Sequence, residues 1–555
     1  MSKQITLLLE STNRQVQAPE GIQAFSLLDD EMDGNVVVAA RFNNEYIALA
    51  DPLTVNGSLA PLTVGDTPGM RIYRKSLSFL FGMACREVLP GRRVVIGHSL
   101  GHAFFHQFLD EGPKATETVA QKIESIMRKI VDDDLPIIPD EISWQDARAH
   151  FKNGGFSSTA LLLEELNQPR VGIWRCGKEM ALRHKPLVHR TGLLQVFAVE
   201  AYQGGFLLRF PATSSPHHLG EQDAQPDLFT VYEEHKRWGR ILGVTTVANL
   251  NTLARNRQSA RDFIQTAEAL HDRKIAQITG QLLQCNPRPR AIMIAGPSSS
   301  GKTTFTKKLG LSLKSAGLKP QLISLDDYYK EREDIPLDED GKPDFELLEA
   351  LDIEEFNRNL TDLLSGKETE IPIFDFKNIG GRLEHGRTMH LDDDGILIFE
   401  GIHGLNPHLT PDLPKDAAFR IYISALTQLN VDDHDRIPTT DNRLIRRIVR
   451  DHQFRRYPAV DTLKIWPSVR RGERRHIFPY QSSADAMFNS ALDYELSVLK
   501  VFAEPQLRAV PPNVPEYGEA RRLLSFLRNF SPFPTEEVPE LSIIREFIGR
   551  SGFRY

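Results

Sequence analysis

Residues 291–305 read AIMIAGPSSSGKTTF: five apolar residues, Gly296, four residues, Gly301, Lys302 and Thr303, then a helical pattern running to about Gly317. A strand that breaks into a glycine-rich turn and re-enters a helix aims successive backbone N–H groups and the positive end of the helix at one point, which makes an anion site. The spacing G-x-x-x-x-G-K-[ST] in a strand–loop–helix context is that of a Walker A loop. On this reading Gly296, Ser298, Ser299, Ser300, Gly301, Lys302, Thr303 and Thr304 hold the phosphates of ATP. Lys302 reaches the outer phosphates, and Thr303 offers its hydroxyl to Mg²⁺.

Downstream, apolar runs (QLIS, ILIF, RIYIS) alternate with helical segments, which predicts an α/β unit with a parallel, helix-covered sheet. Ligands bind at the carboxyl ends of such strands. QLISL is followed at once by Asp326-Asp327-Tyr328-Tyr329, and ILIF by Glu400-Gly401. A carboxylate at the first position can accept the proton of an attacking hydroxyl, and one at the second can hold Mg²⁺ or its water.

Upstream, residues 255–284 carry apolar positions at helical spacing and stop before Asn286-Pro287, which predicts one long helix. Three prolines and few large apolar residues mark 211–226 as a linker. Residues 70–209 read as an α+β domain, with a helix after Arg71, an amphipathic helix over 116–131, and strands at VGIW and LLQVFAV. The first 65 residues alternate short apolar runs with turn clusters such as Asp33-Gly34-Asn35, the pattern of a small β-rich module. The expected organisation is a module over 1–66, an α+β domain over 67–235, a helical connector over 236–288, and the P-loop unit with its C-terminal extension over 289–555.

Composition narrows the function classes. At 555 residues the chain is multidomain, and its 41% apolar and 25% charged content is globular. A net charge of −7 provides no general basic field for nucleic acid or anionic lipid. Three scattered cysteines, Cys85, Cys176 and Cys285, make neither a disulfide framework nor a Cys-rich zinc site. With no apolar stretch near 18 residues, the expectation is a soluble cytoplasmic protein without a membrane partner.

GPSSSGKTTF, SLDDYY, IPIFDF, FEGIHGL and DNRLIRRIVRD together resemble the uridine kinase and phosphoribulokinase group of P-loop kinases, from Ala291 to at least Asp461. WPSVRRGE, IFPYQSSADAMFNS and SIIREFIG extend the likeness to bacterial uridine-kinase-like nucleoside kinases with a threonyl-tRNA-synthetase-like front half. The resemblance implies that Asp326 is the general base, that Tyr329 lines the acceptor pocket with Arg382, and that Phe374 stacks on a base. It also implies that the β-rich module is a TGS domain. Where relatives place an Asp in F-D-H-P to hold ribose hydroxyls, this chain has Phe345-Glu346-Leu347-Leu348 preceded by Asp344, so Glu346 or Asp344 takes that role in a more apolar pocket.

Between Leu429 and His476 stand twelve Lys/Arg against seven Asp/Glu. In RLIRRIVRD the arginines 443, 446/447 and 450 share a helical face, where Arg443 and Arg447 could offset transition-state charge. The resemblance makes this segment a lid over the nucleotide.

Two motifs in the front half point elsewhere. Gly97-His98-Ser99-Leu100-Gly101 has the G-x-S-x-G form of a hydrolase nucleophile elbow, but the oxyanion loop that elbow needs is missing upstream. His98, His102 and His106 recur every four residues and would share a helix face as metal ligands. In threonyl-tRNA-synthetase-like editing domains an H-x-x-x-H is completed by C-x-x-x-H. Here those two later positions hold Arg183 and Leu187, so the quartet is broken and a structural role for the histidines is expected. The front half is left as a degenerate editing-like domain, open to RNA, a small molecule or the kinase unit, and a homo-oligomer is compatible with the composition. The leading reading is an ATP- and Mg²⁺-dependent kinase acting on a nucleoside or small polyol; the alternative is a nucleotide-gated regulator whose front half binds RNA or a protein.

Overall fold

Five strands hydrogen-bond in the order Lys319–Ser324, Gly395–Glu400, Ala291–Ala295, Ala418–Ser424, Ala486–Asn489, all parallel. Ala291–Ala295 is buried along its whole length and Gly395–Glu400 over all but its last residue, as continuous apolar runs in a parallel sheet require. Parallel strands put their carboxyl ends on one edge, so Gly296, Asp326 and Glu400 emerge together. The structure is a computed structural model and describes residues 3–221, 226–338, 341, 343–375 and 381–554.

The chain divides into two units, each gathered from three stretches. Residues 1–255, 428–437 and 507–531 form the front unit, and 256–427, 438–506 and 532–555 form the sheet unit. The predicted long helix is Arg257–Gln284, and its Asn256 cap accepts from the N–H groups of Gln258 and Ser259. The sheet unit also holds helices Lys302–Ser315, Ile353–Leu364, Thr439–Arg450 and Ala459–His476.

The front unit begins with a mixed six-stranded sheet in which Gln4–Leu9 pairs antiparallel with Arg14–Pro19 and parallel with Gly57–Thr63. Asp66 turns the chain into helix Thr67–Val88 by accepting from the Thr63 N–H and hydroxyl at 2.7 and 2.8 Å. The predicted amphipathic helix is Glu117–Asp132, capped by the Thr116 side chain. Among the described residues, no helix is long and apolar enough to cross a membrane.

Two local expectations fail for physical reasons. His98, His102 and His106 do not share a helix: Val94–Leu100 and Ala103–Phe108 are antiparallel strands joined by a turn at Gly101, whose φ is +54°. His98 is buried with its ring 5.5 Å from Tyr232, and the buried His106 ring lies 3.1 Å from the Phe104 carbonyl, so neither is placed as a ligand to a shared metal. The strand turns into a second strand, so the hydrolase elbow is absent too. LLQVFAV becomes a strand only at Ala198, because side chains take its earlier backbone groups. Tyr73 accepts from Val196 N–H at 2.8 Å, and Arg128 donates to the Gln195 carbonyl at 2.7 Å.

Candidate active site

The P-loop is built by close approach and strain. A Cβ on Gly296 would stand 2.2 Å from the Ile423 carbonyl oxygen, and one on Gly301, at φ +81°, would stand 2.5 Å from Ile543 Cγ2, so both positions require glycine. Ser299 takes φ +59°, an uncommon conformation for a non-glycine residue, which surrounding contacts must impose. Those contacts are visible: Arg443 Nε donates to the Ser298 carbonyl at 2.9 Å, Arg447 Nη1 to Ser298 Oγ at 2.8 Å, and Arg446 Nη1 to the Ser299 carbonyl at 3.3 Å. The Ser490 hydroxyl donates to the Ser300 carbonyl.

Within this frame the buried Ser299 and Ser300 hydroxyls have no hydrogen-bond partner among the described residues. Buried hydroxyls left unpaired cost free energy, and a ligand oxygen would relieve that cost. Lys302 Nζ folds back on the Gly296 and Pro297 carbonyls at 2.9 and 3.3 Å. Burial lowers its pKa, against the pull of Glu400, Asp326 and Glu546. The Thr303 hydroxyl donates to Glu400 Oε1 at 3.0 Å. A hydroxyl and a carboxylate side by side are the hard oxygen donors that suit Mg²⁺. Thr304 faces elsewhere: its N–H and hydroxyl both donate to Glu546 Oε2, at 3.2 and 2.7 Å.

Asp326 stands just past the end of Lys319–Ser324, where burial of its carboxyl raises its pKa above the ordinary value. The cations whose charge reaches it are Lys302, Arg455 and Arg450. Arg443 and Arg446 are not among them, because both are fully buried in ion pairs with Glu473 and Glu495. Glu473 also accepts from Arg470 at 2.8 Å and from the Ser298 N–H at 3.1 Å. The buried Asp451 carboxylate gathers Arg447, Arg450 and Arg455 at 3.2, 3.2 and 3.5 Å. The arginine helix therefore grips the loop through Arg443, Arg446 and Arg447, and turns Arg450 and Arg455 toward the aspartate.

The expected acceptor residues also come together. Tyr329 donates its hydroxyl to the Phe345 carbonyl at 2.8 Å, and its ring meets Phe345 and Phe374 edge-on at 5.3 and 5.8 Å. Glu346, half-buried, packs so close to Gly472 that a Cβ there would lie 2.4 Å from its own. Burial pushes the Glu346 pKa up to about 7, with Asp344 and Asp326 adding and Arg447 and Lys302 opposing. Asp344 Oδ1 accepts the Glu346 N–H at 3.0 Å. Arg382 is occupied as a brace, donating to the Tyr329 and Tyr328 carbonyls at 2.7 and 3.1 Å and to Glu355 at 2.6 Å.

Residues 291–497 match the Phosphoribulokinase / Uridine kinase family. Over 245 residues the chain is 28% identical to the uridine kinase of Limosilactobacillus reuteri, covering 44% of this chain and 91% of that one. The N-terminal half matches threonine–tRNA ligases. That of Syntrophotalea carbinolica is 29% identical over 216 residues, covering 37% of this chain and 33% of that one, so the chain spans about a third of the length of these ligases. A solved chain described as "a Possible Uridine Kinase from Bacillus stearothermophilus" aligns with 39% of this chain and 97% of its own, at 18% identity and a TM-score of 0.27.

Sequence reasoning missed Glu473, Glu546, Asp451 and Ser490, which hold the P-loop and its arginines. Glu473 and Ser490 stand within quoted motifs, WPSVRRGE and IFPYQSSADAMFNS, and Glu546 within SIIREFIG, but no spacing in those motifs points at the loop.

Proposed function

We propose that this chain is a kinase that transfers the γ-phosphoryl group of ATP to a hydroxyl of a nucleoside or similar small polyol. One observation carries the reading: Lys302, the Thr303–Glu400 pair and Asp326 converge on one sheet edge and feel one another's charge. Mg²⁺ held by Thr303 and Glu400 would neutralise charge on the transferring group. Lys302 and the Ser299 and Ser300 hydroxyls bind phosphate oxygens, and the P-loop N–H groups orient them. Asp326 takes the proton of the acceptor hydroxyl, while Arg450 and Arg455 offset the charge that develops beside it. Glu346 holds neighbouring hydroxyls of the acceptor, between Tyr329, Phe374 and the helix at Gly472. A site that hydrogen-bonds a hydroxyl strongly rejects analogues lacking it, whereas an apolar wall discriminates weakly between bases.

The test is phosphorus NMR of the purified chain with ATP, Mg²⁺ and a panel of ribonucleosides, 2′-deoxynucleosides and sugar alcohols. The reading expects a phosphomonoester from a ribonucleoside or polyol and none from the 2′-deoxy analogue. ATP consumption without any phosphorylated panel member would overturn it.

A further inference from the structure

The first turn of helix Lys302–Ser315 holds two carboxylates on successive threonines. Thr303 donates to Glu400, and Thr304 gives both its N–H and its hydroxyl to Glu546 Oε2, at 3.2 and 2.7 Å. The first four N–H groups of a helix have no partner within it, and Gly301, which caps this one, has no side chain to offer them. A helix start of this kind attracts anions, and the Walker A pattern assigns its donors, Thr304 among them, to the phosphates of a nucleotide. A carboxylate of the chain itself sits on the Thr304 pair.

The neighbours of Glu546 hold its backbone in place. Ile543 is buried so close to Gly301 that a Cβ on the glycine would lie 2.5 Å from its Cγ2. The Arg446 guanidinium stands 5.1 Å from the centre of the buried Phe547 ring, and Arg545 donates to the Thr535 carbonyl at 3.1 Å. The Glu546 side chain is less confined: it is half-buried and can turn toward solvent. Its charge reaches Lys302 and Glu400, so it lies in the field that phosphate would enter. A phosphate oxygen brought to the same donors would meet this carboxylate at hydrogen-bond distance, where like charges repel. Phosphate and Glu546 therefore cannot share Thr304.

We propose that Glu546 is an internal competitor of the nucleotide: its carboxylate takes the place of a phosphate oxygen on Thr304 and swings out when the phosphate chain of ATP or ADP binds. The proposal rests on the reading of the loop as a nucleotide site and is independent of the acceptor. The contact loosens ATP and ADP alike, so the spent nucleotide leaves more readily.

Isothermal titration of the full chain with MgATP and MgADP tests it, in the wild type, Glu546→Gln and Glu546→Asp, each alone and combined with Lys302→Ala. Gln keeps an acceptor for Thr304 and loses the charge, whereas Asp keeps the charge on an arm one methylene shorter. The expected result is a Kd lower by about tenfold for both nucleotides in Glu546→Gln, and by less in Glu546→Asp. A purely structural cap would act with the opposite sign, so unchanged or weaker binding in both variants would overturn the proposal while leaving the loop a nucleotide site. Tightening that survives Lys302→Ala undiminished would place the nucleotide away from the loop and overturn it as well. If no form of the chain binds nucleotide, the reading of the loop itself falls, and the proposal with it.

Discussion

The Thr303 hydroxyl donates to Glu400 Oε1 across 3.0 Å, tying the first turn of the P-loop helix to the carboxyl end of the neighbouring strand. Glu400→Gln keeps an acceptor for Thr303 but removes the charge. The Mg²⁺ concentration for half-maximal activity is expected to rise by about tenfold, with the fold unchanged. A Mg²⁺ titration of initial rates checks this, and an unchanged requirement would separate Glu400 from the metal.

Lys302→Ala is expected to lower kcat/KM by at least about 10²-fold, the cost of losing one preorganised charge. The protein should stay folded, since the side chain gives up only two hydrogen bonds to Gly296 and Pro297. Asp326→Asn should lower kcat by about 10² to 10⁴-fold and leave the KM for ATP nearly unchanged, because only the proton acceptor is lost. Steady-state rates with ATP varied separate the two.

Arg443→Met tests whether the arginine helix is a brace. Removing Arg443 leaves the buried Glu473 with Arg470 as its remaining cation and takes the donor from the Ser298 carbonyl, and the expected loss of stability is about 1–3 kcal/mol. Urea unfolding measures it. A mobile lid would instead lose turnover with stability intact.

Glu346 gives a pH signature. Its pKa is 4.5 in the ordinary state and is pushed up to about 7 in the folded chain, so the folded chain holds that proton more tightly. The stabilisation is fully present below about pH 4.5 and is lost as pH rises through about 7. Glu346→Gln carries no proton to lose, so its Tm should gain on that of the wild type between about pH 5 and pH 8. Parallel melting curves across that range would refute the assignment.

A chain starting at Asn256 removes the residues that satisfy Asp432, Asp433 and Asp435, all buried in the front unit. Asp433 accepts from the Thr159 N–H and hydroxyl at 3.0 and 2.9 Å, Asp432 contacts the His184 ring at 3.0 Å, and Asp435 pairs with Lys75 at 2.6 Å. Three stripped carboxylates favour unfolding or aggregation. Replacing 428–437 with a short glycine linker should restore a soluble species, as size-exclusion chromatography would report.

What could be read from sequence was what lies close in sequence. Gly296 to Thr304 is one continuous pattern, and Asp326 and Glu400 each follow an apolar strand by at most two residues. Glu473 and Glu546 reach the loop from about 170 and 240 positions away, and a lone carboxylate among arginines carries no sign of its target. The histidines misled because a spacing of four fits a helix face and also one side of a strand. Only the Gly101 turn decided between them. Arg382 and Arg443 were recognisable as site arginines, but their partners, backbone carbonyls and buried carboxylates, leave no trace in the sequence.

The alternation of the chain between its units also bears on biosynthesis. Residues 507–531 belong to the front unit and follow residues 256–427 and 438–506 of the sheet unit in the chain. Synthesis runs from the N-terminus. The front unit, whose first 255 residues are made before the sheet unit, therefore waits for helix Tyr517–Leu527 until most of the sheet unit has been made. Glu519 reaches Arg71 only then, and the P-loop helix receives Glu546 later still. A ribosome that stops before residue 507 therefore releases neither unit complete.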